Sequence, residues 1–433
     1  MNCNSLGDLL AKGYIKIFTG PFGSALHKHE YIDEGVRVIP AEAIFSDGLN
    51  STTFNHITLE KAQDLKRYRL QKGDIVFARR GAQACGRSAL VGDKEEGSIA
   101  GTGLIYLRVW KKDLVVPEYL HLAVSSAKSL AWLKTHAIGA TMPNLNNSVL
   151  CSLPLNLPSY EKQVEVVNGY YPIIKKIRVN TKLNQTLEEI IQAIFKSWFV
   201  DFDPVKAKMN GDQPEGMDAV TASLFPEKLV ESELGLIPEG WEVKPLDKVA
   251  HFQNGLALQK FRPESEDDEF LPVLKIAQLR QGYCDGKEKA RTDIKESCRV
   301  YDGDMIFSWS GSLMIDLWTG GNAALNQHLF KVTSEEYNLP LYLFWTKHHL
   351  VKFQQIAKDK AVTMGHIKRG HLSESLCVIP PKELRDKMDE VLMPLINQGL
   401  NLRLQSNQLA ALRDTLLPKL LSGEIELAPQ GNQ

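Results

Sequence analysis

Gly73-Asp74-Ile75-Val76-Phe77 returns 230 residues later as Gly303-Asp304-Met305-Ile306-Phe307, and Gly81 returns as Gly311 at the same offset. Upstream, Val38-Ile39-Pro40-Ala41 resembles Val273-Leu274-Lys275-Ile276 at offset 235. Downstream, Thr141, Met142, Pro158, Glu161, Pro172, Ile174 and Leu187 are matched by Thr363, Met364, Pro380, Glu383, Pro394, Ile396 and Leu409, all at offset 222. Seven identities on one ungapped offset are too many for chance similarity of short apolar runs. The chain is one plan written twice.

Each copy begins with short apolar runs separated by glycines. Asp74–Ala78 and Leu104–Val109, with counterparts Met305–Ser308 and His328–Val332, predict strands. Gly81, Gly86 and Gly92, and then Gly311, Gly320 and Gly321, predict the turns. Leu157-Pro158 and Ile379-Pro380 then lead into long helices, about 160–200 and 382–421. In the first, Ile173, Ile177, Asn180, Asn184, Leu187, Ile191, Ile194 and Trp198 alternate spacings of four and three, a heptad seam. Pro172 predicts a kink or a restart. The second helix is Leu-rich (Leu402, Leu409, Leu412, Leu416, Leu420) with a less regular seam. Such a seam packs either on the other copy's helix or on its own β-rich domain. Residues 203–240 are rich in Pro, Gly and acids and predict a loose connector. The expected order is a domain at 1–157, a helix at 158–202, an acidic linker at 203–236, a domain at 237–380, a helix at 381–425 and a tail at 426–433.

A chain of 433 residues with 43% hydrophobic content supports two or three domains. No apolar run reaches the ~18 residues of a membrane span, and Met1-Asn2 opens no basic-then-apolar leader. Cys3, Cys85, Cys151, Cys284, Cys298 and Cys377 are scattered without a CxxC pair, which predicts reduced thiols and a cytoplasmic protein. The net charge is -1, but it is unevenly spread. Residues 1–157 hold 18 Lys+Arg against 14 Asp+Glu, and residues 201–247 hold 4 against 11. Mildly basic modules joined by an acidic connector are compatible with binding DNA phosphates.

No catalytic constellation emerges. Gly81-Ala82-Gln83-Ala84-Cys85-Gly86-Arg87-Ser88 imitates a phosphate-binding loop, yet Ala89-Leu90-Val91-Gly92 continues as strand and turn rather than helix. Asp285-Gly286-Lys287 has a nuclease-like Asp-x-Lys shape without a supporting acid. His348-His349, His366 and His371 show no metal-ligand spacing, and no Asn/Asp-Pro-Pro-aromatic segment or Gly-rich cofactor loop is present. A binding protein without metal or cofactor of its own is expected.

The loop after the first Gly-Asp strand offers Arg79, Arg80, Gln83 and Arg87, side chains suited to guanine edges, phosphates and adenine. Its counterpart offers Ser308, Trp309, Ser310 and Ser312, followed by Asn322, Asn326, Gln327 and His328. Both are equally readable as ordinary polar hairpin loops. Further DNA-binding candidates are Lys28, Lys66, Arg67, Arg69, Thr141 and Asn144 in the first copy, and Lys275, Gln278, Arg280, Thr363, His366 and Lys368 in the second.

Several segments together resemble the DNA-specificity subunits of type I restriction-modification systems. They are Gly20-Pro21-Phe22-Gly23-Ser24, the Gly-Asp-Ile-Val-Phe strand, Ile194–Phe202, Leu236-Ile237-Pro238-Glu239-Gly240-Trp241 and Leu416–Ile425. The resemblance implies an α+β chain. Two α/β target recognition domains stand in tandem, separated by two long antiparallel coiled-coil helices with pseudo-twofold symmetry. It implies binding of double-stranded DNA at a two-part target with an unread spacer. A helix of about 38 residues, ~57 Å long, would act as the ruler. It further implies two modification subunits, which use S-adenosylmethionine to methylate adenine N6, and two restriction subunits, which use ATP and Mg. Phe195, Trp198, Phe199 and Phe202 either dock a modification subunit or pack on their own domain. A fused restriction-methyltransferase and a scaffold that binds no DNA are the competing readings.

Overall fold

The computed structural model describes residues 4–45, 48–81, 84–139, 143–359 and 365–425. They form two compact units, Met1–Lys175 with Ala410–Gln433, and Lys176–Leu409. The unit boundary therefore falls inside the long helices Tyr160–Phe199 and Lys382–Ser422, not at their ends as the sequence suggested.

In the first unit an antiparallel sheet runs in the order Ile15–Thr19, Leu104–Val109, Ile75–Ala78, Ser88–Leu90. A second sheet has Val36–Ile39 in the middle, antiparallel to Asn55–Ile57 and parallel to Ile99–Ala100. Every residue of Ile75–Ala78 is buried because this strand is covered on both faces. Side chains alternate across a strand, so Ile75 and Phe77 join the core with Tyr119, Leu120 and Val166. Val76 and Ala78 join the core with Val38 and Ile99 of the second sheet.

The second unit repeats this. Its sheet runs His251–Asn254, Leu329–Thr333, Met305–Ser308, Met314–Leu317, again all antiparallel. Its second sheet again has a parallel pair, Phe270–Leu274 beside Ala323–Leu325, with Lys289–Arg291 antiparallel on the outer side. Met305 and Phe307 face one core and Ile306 another.

The repeated Gly-Asp has a physical cause. Gly73 and Gly303 have φ of +88° and +92°, a region that disfavours a Cβ. Asp74, 1% exposed, accepts from the Gln71 amide at 2.8 Å and takes a two-pronged bond from Arg108 at 2.8 and 2.7 Å. Asp304 accepts from the Tyr301 amide at 2.7 Å and pairs with Lys331 at 2.7 Å. In both copies one carboxylate closes the turn and neutralises a cation on the adjacent strand.

The central long helix continues through Pro172 without a restart. Its seam meets the C-terminal long helix. Asn180, 1% exposed, donates to Gln405 Oε1 at 2.8 Å and to Ser406 Oγ at 3.3 Å. One turn later Asn184 fills the space where a Cβ on Gly399 would stand, 2.9 Å from Asn184 Oδ1. Partners thus descend as the helix ascends, an antiparallel pairing. In the first unit Val166 and Tyr170 share a core with Leu420, with Leu416 and Leu417 against it. Leu412 is half-exposed and off the seam.

The stretch expected as a loose acidic linker is built into the second unit. It folds as helices Asp203–Met209 and Ala219–Ser223 and a hairpin of Leu229–Ser232 with Gly235–Pro238. Val205, Phe225 and Ile237 are buried in the main core, and that apolar content outweighed the acidic composition. Phe195, Trp198, Phe199 and Phe202 are likewise core residues, 0 to 9% exposed, with rings against Phe344, Trp345, Phe225 and Trp241. They are buried in the second unit's core, against the second copy's domain rather than the first copy's, and offer no docking surface.

Asp74→Ala should cost about 3 kcal/mol, because it strands Arg108 in a largely buried place. Asp304→Ala, whose carboxylate is 21% exposed against 1% for Asp74, should cost less, about 1 kcal/mol. Urea midpoints of the two variants would check the order, and equal losses would contradict it.

His349 stacks near Trp345 and its Nε2 donates to the Leu376 carbonyl at 3.0 Å. Burial, with His348 and Lys352 nearby, pushes it down from 6.5 to about 4 despite that bond. The folded protein thus binds this proton more weakly than the unfolded chain does. The contribution is fully present above pH 6.5 and is lost as pH falls through about 4. His349→Gln should flatten the acid limb of a stability-pH profile between those values.

Candidate DNA interface

In the first unit the segments 20–25, 79–81, 84–87 and 101–103 lie at one end of the main sheet, where Thr19 and Ala78 end strands and Leu104 and Ser88 begin them. They are laced together by backbone. The Gly20 amide donates to Leu104 O at 2.9 Å, and the Arg79 amide donates to Gly103 O at 2.8 Å. A fourth segment joins them. Ile138 and Asn144 exchange amide bonds at 3.0 and 2.9 Å, Asn144 bridges Arg80, and the Leu145 amide donates to Arg79 O at 2.9 Å.

The second unit closes the same clasp. His366 bridges Ser310, and the Ile367 amide donates to Trp309 O at 3.0 Å. Offsets 230 and 222 carry Arg79 and Arg80 to Trp309 and Ser310, and Asn144 and Leu145 to His366 and Ile367. The backbone contacts therefore coincide pair by pair, while none of these four side chains is shared. Segments 20–26, 79–87, 101–104 and 138–146 contain no Asp or Glu and three arginines. Segments 255–258, 309–313, 326–328 and 365–369 contain no acid, with Lys368 and Arg369. An acid-free, cation-bearing end is what a phosphate backbone requires.

The side chains divide by exposure. Arg80 is exposed and Arg87 half-buried. Arg79 is half-buried, its Nε donating to Asn144 Oδ1 at 3.1 Å and Leu145 O at 3.2 Å, so it holds the clasp. In the second unit Ser312 and Lys368 are exposed, and Gln327, His328, His366 and Trp309 are half-buried. Trp309 lies between the rings of His328, His366 and Phe330, with centroids 5.9, 6.3 and 5.7 Å away. Ser308, Ser310 and Asn326 are buried and act inward. Ser308 Oγ donates to Ser310 O, Ser310 Oγ meets His328 Nδ1 at 3.2 Å, and Asn326 Oδ1 accepts from the His328 amide at 3.2 Å. They shape the loop and cannot reach a base.

Other candidates lie off the clasp. Lys66, Arg67 and Arg69 are exposed around buried Tyr68, with Arg69 opposite Ile99. Arg67 covers the Tyr68 ring at 4.6 Å. Lys28 is exposed in the turn Lys28–Glu30. Lys275 is ion-paired with Glu288, Arg280 is exposed, and Gln278 has its Oε1 buried. Asn322 precedes strand Ala323–Leu325, whose opposite end, Leu325, meets Leu256 beside the clasp. Gln83, Thr141 and Thr363 lie outside the described residues. Sequence reading missed Ile138, 58% exposed on the ribbon that carries Asn144, because an isolated isoleucine before Gly139 shows no strand period. Among the described residues, no helix is long and apolar enough to cross a membrane.

The sequence matches the type I restriction modification DNA specificity domain twice, over residues 25–189 and 238–409. The chain belongs to that family. Family membership, with two such domains in tandem, makes it a DNA target recognition protein. It is 25% identical over 429 residues to the specificity subunit of the type I restriction enzyme HindI of Haemophilus influenzae, covering 88% of this chain and 93% of that one. It is 27% identical to the MjaIX specificity subunit of Methanocaldococcus jannaschii, covering 73% and 71%. In fold it is similar to the crystal structure of a type I S subunit from M. genitalium, with a TM-score of 0.57 at 13% identity over 98% of this chain and 96% of that one.

Arg80→Ala should weaken binding to the cognate duplex by about 1–3 kcal/mol if the fork reads a guanine. Ser308→Ala should leave the recognised sequence unchanged. Affinities measured at several salt concentrations would check both, and a changed sequence preference in Ser308→Ala would refute the inward assignment.

Proposed function

We propose that the two clasps read the two halves of a bipartite double-stranded DNA target separated by an unread spacer, and that this chain directs partner subunits without performing chemistry itself. One observation carries this reading. The same backbone clasp occurs in both units, and its side chains differ: Arg79-Arg80 with Asn144 in one, Trp309-Ser310 with His366 in the other. A frame held by main-chain bonds can change its side chains without losing shape, so each unit can take its own sequence.

The relatives' description as specificity subunits of type I restriction enzymes supports assembly with further subunits. On our reading these are two modification subunits that use S-adenosylmethionine to methylate adenine N6, and two restriction subunits that use ATP and Mg. The complex works in the cytoplasm. The pure chain should transfer no methyl group from labelled S-adenosylmethionine and cut no DNA.

The test is an exchange. Replacing residues 1–157 with the matching region of another specificity subunit should change one block of the methylated sequence and preserve the other. Methylome sequencing reads the outcome. Two altered blocks would end the modular reading, and methyl transfer by the pure chain would end the non-catalytic one.

A further inference from the structure

Phe22 is 69% exposed, although the turn that carries it is firmly held. Pro21 before it and Leu26 after it are buried, the latter at 4%. The Phe22 carbonyl accepts from the Ala25 amide at 2.8 Å, closing the turn. Gly20 sits so close to the neighbouring turn that a Cβ there would come within 2.1 Å of Gly101 O. The aromatic ring is therefore presented on a fixed support, with only Gly23 and Ser24 exposed beside it. Its position is the acid-free end of the first unit's sheet. Strand Ile15–Thr19 is two strands from Ile75–Ala78, about 10 Å away, and the turns carrying Phe22 and the exposed Arg80 leave the same end of that sheet. An exposed aromatic on a held turn, at the sheet end that also carries the exposed Arg80, is the arrangement of an apolar wedge at nucleic acid.

We propose that Phe22 enters a base step of the half-target read by the first unit, partly unstacking it. This rests on the clasp as the DNA-reading end and adds a position and a mode of contact. The second unit carries no ring at the matching place. At offset 235 the clasped glycine is Gly255, with a Cβ clash of 2.3 Å against Leu325 O, and the residue matching Phe22 is Ala257. Opening of a base step is accordingly confined to one half of the target.

The test uses the full chain assembled with its modification subunits and duplexes carrying its methylome-derived target. 2-Aminopurine, whose fluorescence rises on unstacking, is placed in turn at each position of the first unit's block. Wild-type complex should raise the signal at one step there and at none in the other block. Phe22→Ala should abolish that rise and weaken binding about tenfold. Phe22→Trp should preserve both. Phe22→Leu, which keeps bulk without a stacking ring, should fall between. The melting temperature of each variant should equal wild type, since the ring supports no core.

A rise that persists in Phe22→Ala overturns the wedge. So does Phe22→Ala losing its modification subunits while its DNA signal is intact, which would make the ring a protein contact. Arg80→Ala, measured in parallel, separates this from the underlying reading. If Arg80→Ala leaves affinity and salt dependence unchanged, the clasp is not the DNA-facing end. If it weakens binding and Phe22→Ala does not, only the wedge fails.

Discussion

One main-chain hydrogen bond in each unit, Leu145 to Arg79 and Ile367 to Trp309, ties a distant segment to the tip of the central hairpin. The remaining features of the proposed reading end depend on it. Because donor and acceptor are amide and carbonyl, the bond places no demand on side-chain identity. The residue that supplies the carbonyl is arginine in one unit and tryptophan in the other, and the geometry is unchanged. A recognition surface built this way separates shape from sequence. The frame is shared by the copies through backbone bonding, and exposed side chains on it, such as Arg80, Ser312 and Lys368, are free to differ. Arg79 partly departs from this rule, since its own Nε closes the clasp on Asn144.

The clasp is only as firm as the strand beneath it. Ile75–Ala78 and Met305–Ser308 are covered on both faces, so each contributes side chains to two cores at once. At the far end of each strand the Asp-cation pair fixes the turn, and at the near end the clasp fixes the loop. A strand held at both ends and on both faces has little freedom to shift its register. Preorganisation of this kind lowers the ordering cost of binding, so affinity is drawn from contacts rather than consumed in arranging them.

Much of this was legible in the sequence. The repeat was visible because turn glycines, helix-opening prolines and strand apolars are dictated by backbone geometry, and both copies meet the same geometry. The Pro-led entries placed both long helices within a residue or two of their observed ends. What stayed hidden was long-range. Nothing local marks Asn144 and Arg80 as neighbours across 63 intervening positions, because the bond that joins them is between backbones. Ser308, Ser310 and Asn326 look like base-reading polar residues until their burial is known. The stretch 203–236 reads as a solvated linker because its acids outnumber its bases and Pro and Gly punctuate it. Val205, Phe225 and the hairpin nonetheless bury enough surface to fold it against the second unit's core.

The overall charge of -1 would seem to forbid a DNA-binding role, and the distribution of that charge shows why it does not. Segment 201–247, with seven more acids than bases, forms the helices and the hairpin at the base of the second unit's core. The clasp segments hold no acid at all. Screening in physiological salt reduces exposed charges to local effect beyond about 8 Å. A phosphate approaching Arg80 or Lys368 therefore responds to the loops around it and not to the sum over the chain. Segregation also has a use. A uniformly basic protein would hold any DNA tightly at every site, whereas acid-free loops on an otherwise charge-balanced chain keep non-specific attraction small. Base contacts then contribute a larger share of the total, and discrimination between sequences rises with that share.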